Sequence, residues 1–118
     1  MTRPVVVTAL GDGHRVGNVE FLARTLDTPH FNLGVVTLAP GQGVPSHVHR
    51  GEDDSFLVLE GTLSVVLGEE GRHVAAGPGT FVLVPEGTPH AIANEGTAEV
   101  RILNIHAPGG FDRRVGLR

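Results

Sequence analysis

The chain is 118 residues long, carries a net charge of -4 and is 40% hydrophobic but only 4% aromatic, with neither Trp nor Tyr. That size fits one domain, spanning 1–118, with an aliphatic core. Cysteine is absent, all nine basic residues are Arg, and no basic cluster or long apolar run is present. These features exclude a disulfide framework, a thiolate metal site and Schiff-base chemistry on a lysine. They argue against nucleic acid or a membrane as partner and fit a reducing cytoplasm.

The 17 Gly and 8 Pro punctuate short Val/Ile/Leu runs along the whole length, the pattern of short strands joined by tight turns. Val5 to Thr8 reads as an edge strand behind Pro4, where a missing N–H is tolerated. After the Gly11-Asp12-Gly13 turn, Val19 to Arg24 and Phe31 to Ala39 are strands. Residues 42–46 form a loop, and Val44, His47 and His49 lead into the next extended piece. Phe56 to Glu60 and Thr62 to Leu67 pair as a hairpin across Gly61. Short strands follow at Arg72 to Ala75, Thr80 to Val84 and His90 to Ala93, then a long one at Ala98 to Ala107. Phe111 to Arg118 is a tail that packs back or frays. Nine or ten strands and no helix of normal length make an all-β sandwich or barrel.

Two stretches carry the chemistry: GQGVPSHVHRGEDDSFLVLEG (41–61) and GTFVLVPEGTPHAIAN (79–94). His47 and His49, at i and i+2, share a face on an extended chain. Two imidazoles on one face can grip one divalent ion. Glu52, Asp53 or Asp54 can add a carboxylate, Asp53 and Asp54 pointing to opposite faces, and His90 arrives from a separate hairpin. Three His and one carboxylate leave one or two positions open. His14, His30 and His73 read as solvated side chains.

The pattern Gly41-x5-His47-x-His49-x4-Asp54-x6-Gly61 resembles the first cupin motif, with Asp in place of the usual Glu. Gly79-x5-Pro85-x-Gly87-x2-His90-x3-Asn94 matches the second at every fixed position. The flanks are similar to small single-domain, quercetin-dioxygenase-like cupins of the Cupin_2 type. The resemblance implies a double-stranded β-helix, or jelly-roll barrel, with its core at about 19–107. It further implies one divalent metal ion (Fe, Mn, Ni, Co, Cu or Zn) held by His47, His49, Asp54 and His90, and a homodimer.

Alternation places Ile92 and Asn94 on the face of His90, and Phe56 and Val58 on that of Asp54. Val100, Ile102, Asn104 and His106 share one face of the last strand. His106 and Asp54 are thereby candidate acid/base groups. Val35, Thr37, Phe56, Val58, Val66 and Ile92 are the expected walls of an apolar pocket for a small organic substrate. By resemblance, the leading function is a dioxygenase acting on an oxygenated aromatic or enolisable compound. The alternatives are a non-redox lyase, isomerase or polyketide cyclase, and a non-catalytic small-ligand-binding barrel. A sugar-phosphate isomerase fits less well, because the expected pocket face has no Arg or Lys cluster.

Overall fold

A computed structural model describes residues 2–117. Ten strands form two antiparallel sheets. β1 (His14–Val16), β2 (Val19–Ala23), β3 (Asn32–Leu38), β5 (Asp53–Glu60), β8 (Phe81–Val84) and β10 (Val100–Ala107) make a six-stranded sheet in the order β1-β2-β3-β10-β5-β8. β4 (Gly43–His47), β6 (Leu63–Leu67), β7 (Arg72–Ala76) and β9 (His90–Ala93) make a four-stranded sheet in the order β4-β9-β6-β7. A single turn of helix, α1 (Phe111–Arg114), follows the last strand. The architecture is the double-stranded β-helix implied by the two motifs.

The core lies between the sheets. Val36 and Leu38 of β3, Phe56 and Val58 of β5 and Val100 and Ile102 of β10 face Leu63 and Val65 of β6 and Ala76 of β7. Side chains two residues apart in each strand supply this layer, as the pleat requires. β10 is central, paired with both β3 and β5.

Four expectations are corrected. Val5 to Thr8 is not a strand: Val5 and Val7 are 91% and 92% exposed, and the sheet edge there is β1, which pairs with β2. A β-branched run makes a strand only where a partner offers hydrogen bonds. Residues 43–47, expected as mostly loop, form β4, with Pro45 tolerated because β4 is an edge strand. β5 begins at Asp53 and does not pair with β6. At Gly61 the chain turns a corner from one sheet into the other, so Val58 and Leu63 meet in the shared core. Gly61 has φ +76°, and a Cβ there would lie 2.6 Å from the Glu99 carbonyl oxygen, so only glycine fits. The faces of β3 and β6 are also opposite to the expected ones. Val36 and Val65 belong to the interior layer, whereas Val35, Thr37 and Val66 lie on the other side of their strands.

No helix among the described residues is long and apolar enough to cross a membrane.

Leu63 is fully buried in the core and Leu59 is 43% exposed. Leu63→Ala should destabilise the protein by about 2–5 kcal/mol, and Leu59→Ala by no more than about 0.5 kcal/mol. Denaturant titration of both variants checks the inter-sheet location of the core.

Candidate metal centre

His47 ends β4, and His49 lies two residues on, past the end of the strand. The chain stays extended enough to keep both rings on one side: their Nε2 atoms are 3.1 Å apart. Asp54, in β5, is paired across the sheet with Val84 and His106. His90 opens β9 and pairs with His47. The Gly87 N–H donates to the His49 carbonyl at 2.8 Å, which ties the loop before His90 to the first motif.

The four side chains therefore converge. One donor atom from each of His47, His49, Asp54 and His90 lies within 4.8 Å of all the others. Asp54 Oδ2 is 2.9 Å from His90 Nε2 and 3.4 Å from His49 Nε2. Asp53 faces outward, its Oδ1 accepting the Glu86 N–H at 3.0 Å, as alternation requires. His14, His30 and His73 are exposed and take no part.

The proton positions decide whether this set suits a metal. His47 Nδ1 donates to the Pro45 carbonyl at 2.8 Å and His90 Nδ1 to the Thr88 carbonyl at 2.9 Å. A carbonyl oxygen only accepts, so each Nδ1 carries a proton and Nε2 is the ring nitrogen left to meet an ion. His49 Nδ1 lies 3.1 Å from Glu52 Oε1, which fixes the same tautomer. Three Nε2 atoms and a carboxylate oxygen thus face one another, and His90 Nε2 donates to Asp54 Oδ2 a proton that a bound metal would displace. Two ligands bound to one ion at about 2.1 Å and at right angles lie about 3 Å apart, close to the observed separations. The donor set fits a divalent cation with nitrogen and oxygen ligands.

The other oxygen of Asp54 faces away from the His47, His49 and His90 rings, toward β10. Oδ1 accepts from Asn104 Nδ2 at 2.7 Å and lies 3.3 Å from His106 Nε2. Burial alone pushes the Asp54 carboxyl up, but the His90 hydrogen bond, His106, Asn104 and His49 outweigh it and hold the group below its ordinary range. Burial lowers His49, against the pull of Asp54 and Glu52. Burial also works to lower His90, yet its bonds to Asp54 and Thr88 leave it raised. His106 is buried deeply enough that burial dominates, pushing it down to about 4.

These groups line a cavity of about 370 Å³ with Val36, Phe56, Ile92 and Ile102. Phe56 and Ile92 are walls as expected, and Val36 takes the place foreseen for its neighbours. Val58 lies in the core rather than in the lining. Asn94 is buried, but β9 ends before it, and its amide donates to the Leu38 and Ala98 carbonyls instead of facing the cavity. Asn104 and His106 do face it, as their alternation with Ile102 indicates. Phe111 and Val115, from the tail, close one side. No local pattern in the sequence marks them, since their place depends on the chain folding back past Pro108.

Comparison with known proteins gives a match to the Cupin domain family model over residues 34–106. The tetracenomycin polyketide synthase protein TcmJ of Streptomyces glaucescens is 29% identical over 84% of this chain and 67% of its own length. The quercetin 2,3-dioxygenase of Bacillus subtilis is 27% identical over 73% of this chain but only 22% of its own. A mannose-1-phosphate guanylyltransferase of Salmonella typhimurium is 29% identical over 66% of this chain. The chain spans about a sixth of the length of that enzyme and of its Escherichia coli counterpart. Among solved structures, one from Thermus thermophilus superposes with a TM-score of 0.72 at 26% identity, covering 90% of this chain and all of the other. A Klebsiella pneumoniae protein with a double-stranded β-helix domain reaches 0.74 at 22% identity, over 91% and 93%.

The depressed His106 pKa makes stability depend on pH. In the unfolded chain this imidazole titrates near 6.5, so between there and about 4 the unfolded state takes up a proton that the folded state refuses. Its contribution is fully present above 6.5 and is lost as pH falls towards 4. Asp54, Glu52, His49 and Arg114 surround the ring and set the balance. Protein stripped of metal should lose on the order of 3 kcal/mol across that window from His106 alone. His106→Gln should flatten the decline; an unchanged slope in chemical denaturation at a series of pH values would refute the assignment.

Proposed function

The chain belongs to the cupin family, and on that premise we propose that it is a metal-dependent enzyme acting on a small enolisable or phenolic compound, in the first instance a quercetinase-like dioxygenase. The observation that carries this reading is the double engagement of Asp54. One carboxylate oxygen sits among three imidazole nitrogens, while the other faces Asn104 and His106 in an apolar cavity.

In this reading His47, His49, His90 and Asp54 Oδ2 hold one divalent ion. Once bound, the ion would acidify a hydroxyl next to it and, if redox-capable (Fe, Mn, Ni, Co or Cu), open a route for electrons to O2. The remaining work falls to the chain. Val36, Phe56, Ile92 and Ile102 exclude water and accept the body of the substrate. Asp54 Oδ1 takes the hydroxyl proton, with Asn104 holding that oxygen by its amide. His106, neutral at physiological pH, accepts the proton in turn across 3.3 Å.

A second reading is a non-redox cyclase or isomerase, in which the same proton path acts on a polarised carbonyl and Zn suffices. TcmJ is a polyketide synthase protein, and the enolisable carbonyls of a polyketide are what such a path would act on; that match spans two thirds of the relative rather than a fifth. A sugar phosphate as substrate is disfavoured, since no Arg among the described residues lines the cavity.

Metal analysis of untagged protein, with oxygen uptake on flavonol, catechol and diketone compounds, separates these readings. One redox-active ion per chain with substrate-dependent uptake supports the dioxygenase. Stoichiometric Zn with a product isomeric to its substrate supports the cyclase or isomerase. No metal after reconstitution leaves a binding barrel. His47→Ala and His90→Ala should each weaken metal binding by more than the 10–100-fold typical of losing an outer partner. Asp54→Asn should lower turnover by roughly 10²–10⁴-fold if the carboxylate moves the proton.

A further inference from the structure

Glu52 is buried to 4% exposure in the turn between β4 and β5, yet it is not one of the four converging donors. Its Oε1 lies 3.1 Å from His49 Nδ1 and receives Arg114 Nη2 from α1. His49, Glu52 and His106 also form a three-donor cluster of their own. The cationic position beside Glu52 is already filled by the Arg114 guanidinium, so this cluster is a support for the first site and not a second one.

α1 is a single turn, too short to persist unaided. It is held from within by Asp112, whose carboxylate accepts the Thr25 N–H at 2.8 Å and the Thr25 hydroxyl at 2.6 Å, and whose own N–H donates to Asn32 Oδ1. It is held at the site by Arg114 on Glu52 and by Phe111, stacked on His106 with ring centroids 3.8 Å apart and planes 9° from parallel. Phe111 also meets His49 edge-on at 5.9 Å.

We propose that Glu52 is a positioning residue for the metal centre: it holds the Nδ1 proton of His49 so that Nε2 faces the ion, and Arg114 holds Glu52, so that metal binding and docking of the C-terminal helix favour one another. This rests on the metal reading of the site. A carboxylate behind a ligating imidazole fixes its tautomer and raises its basicity. The chain adds a third link, because that carboxylate is shared with a cation on the last element. Coupling of this kind is reciprocal: whatever fixes His49 also stabilises the docked helix, to the same degree that the docked helix tightens metal binding.

The test compares the full-length parent with Glu52→Gln, Arg114→Ala and Arg114→Lys. Zn2+ affinity is measured by chelator competition, the visible spectrum is recorded with Co2+, and tryptic cleavage of the parent and Glu52→Gln at Arg113 and Arg114 is followed by mass. Glu52→Gln and Arg114→Ala should each weaken Zn2+ binding by about 10–100-fold at one ion per chain. Glu52→Gln should also shift the Co2+ spectrum, and Arg114→Lys should recover part of the affinity. Saturating Zn2+ should slow C-terminal cleavage of the parent several-fold and protect Glu52→Gln less. Arg114 is half exposed, so Arg114→Ala keeps the test open if Glu52→Gln fails to fold. If the parent binds one Zn2+ and the variants bind it within twofold, the coupling is wrong and the metal centre stands. If the parent binds no Zn2+ or Co2+, both are overturned.

Discussion

Three imidazole Nε2 atoms and one carboxylate oxygen meet in one cavity lined mostly by apolar side chains. That encounter is the constraint on which the remaining structure turns. Each ring reaches it in a fixed tautomer because an acceptor stands behind it: the Pro45 carbonyl, the Thr88 carbonyl or the Glu52 carboxylate. One donor atom from each of the four side chains lies within 4.8 Å of the others, a set that could hold a divalent cation.

The two sheets supply these donors from different sides. β4 and β9 bring His47 and His90 from the four-stranded layer, paired directly across the ladder. β5 brings Asp54 from the six-stranded layer, with β10 placing His106 opposite it. The site closes only when the layers do, and the core of Phe56, Val58, Leu63, Val65 and Ile102 closes them. The same burial that stabilises the fold therefore sets the electrostatics: it drives His106 down to about 4 and leaves Asp54 ionised only because four partners oppose it. No buried side-chain polar atom among the described residues lacks a partner, as a polar network in a low-dielectric interior requires.

A shared fold fixes much less of the chemistry than this local arrangement does. The relatives include a dioxygenase, a polyketide synthase protein and guanylyltransferases, matched over very different shares of their lengths. This chain has a cavity with mostly apolar walls, no Arg among the described lining residues, and Asn104 and His106 beside the carboxylate. Those groups suit proton movement on a small, largely apolar molecule.

The sequence determined the parts of this protein that depend on order along the chain. Motif spacing identified the three His, and strict alternation placed Asp54 inward and Asp53 outward. On β10 it put Ile102, Asn104 and His106 on one face. It failed where neighbours are alike: Val35-Val36 and Val65-Val66 are apolar on both faces, so alternation carries no sign there. Only pairing with β10, β7 and β9 decided which member turned inward. Tertiary structure also decided that Val5 to Thr8 has no partner and that β5 and β6 part company at Gly61. It alone brought Arg114 to Glu52 across 62 positions, and Phe111 onto His106. Local rules read residues a few positions apart, whereas these contacts exist only once the last element has folded back over a barrel that is already closed.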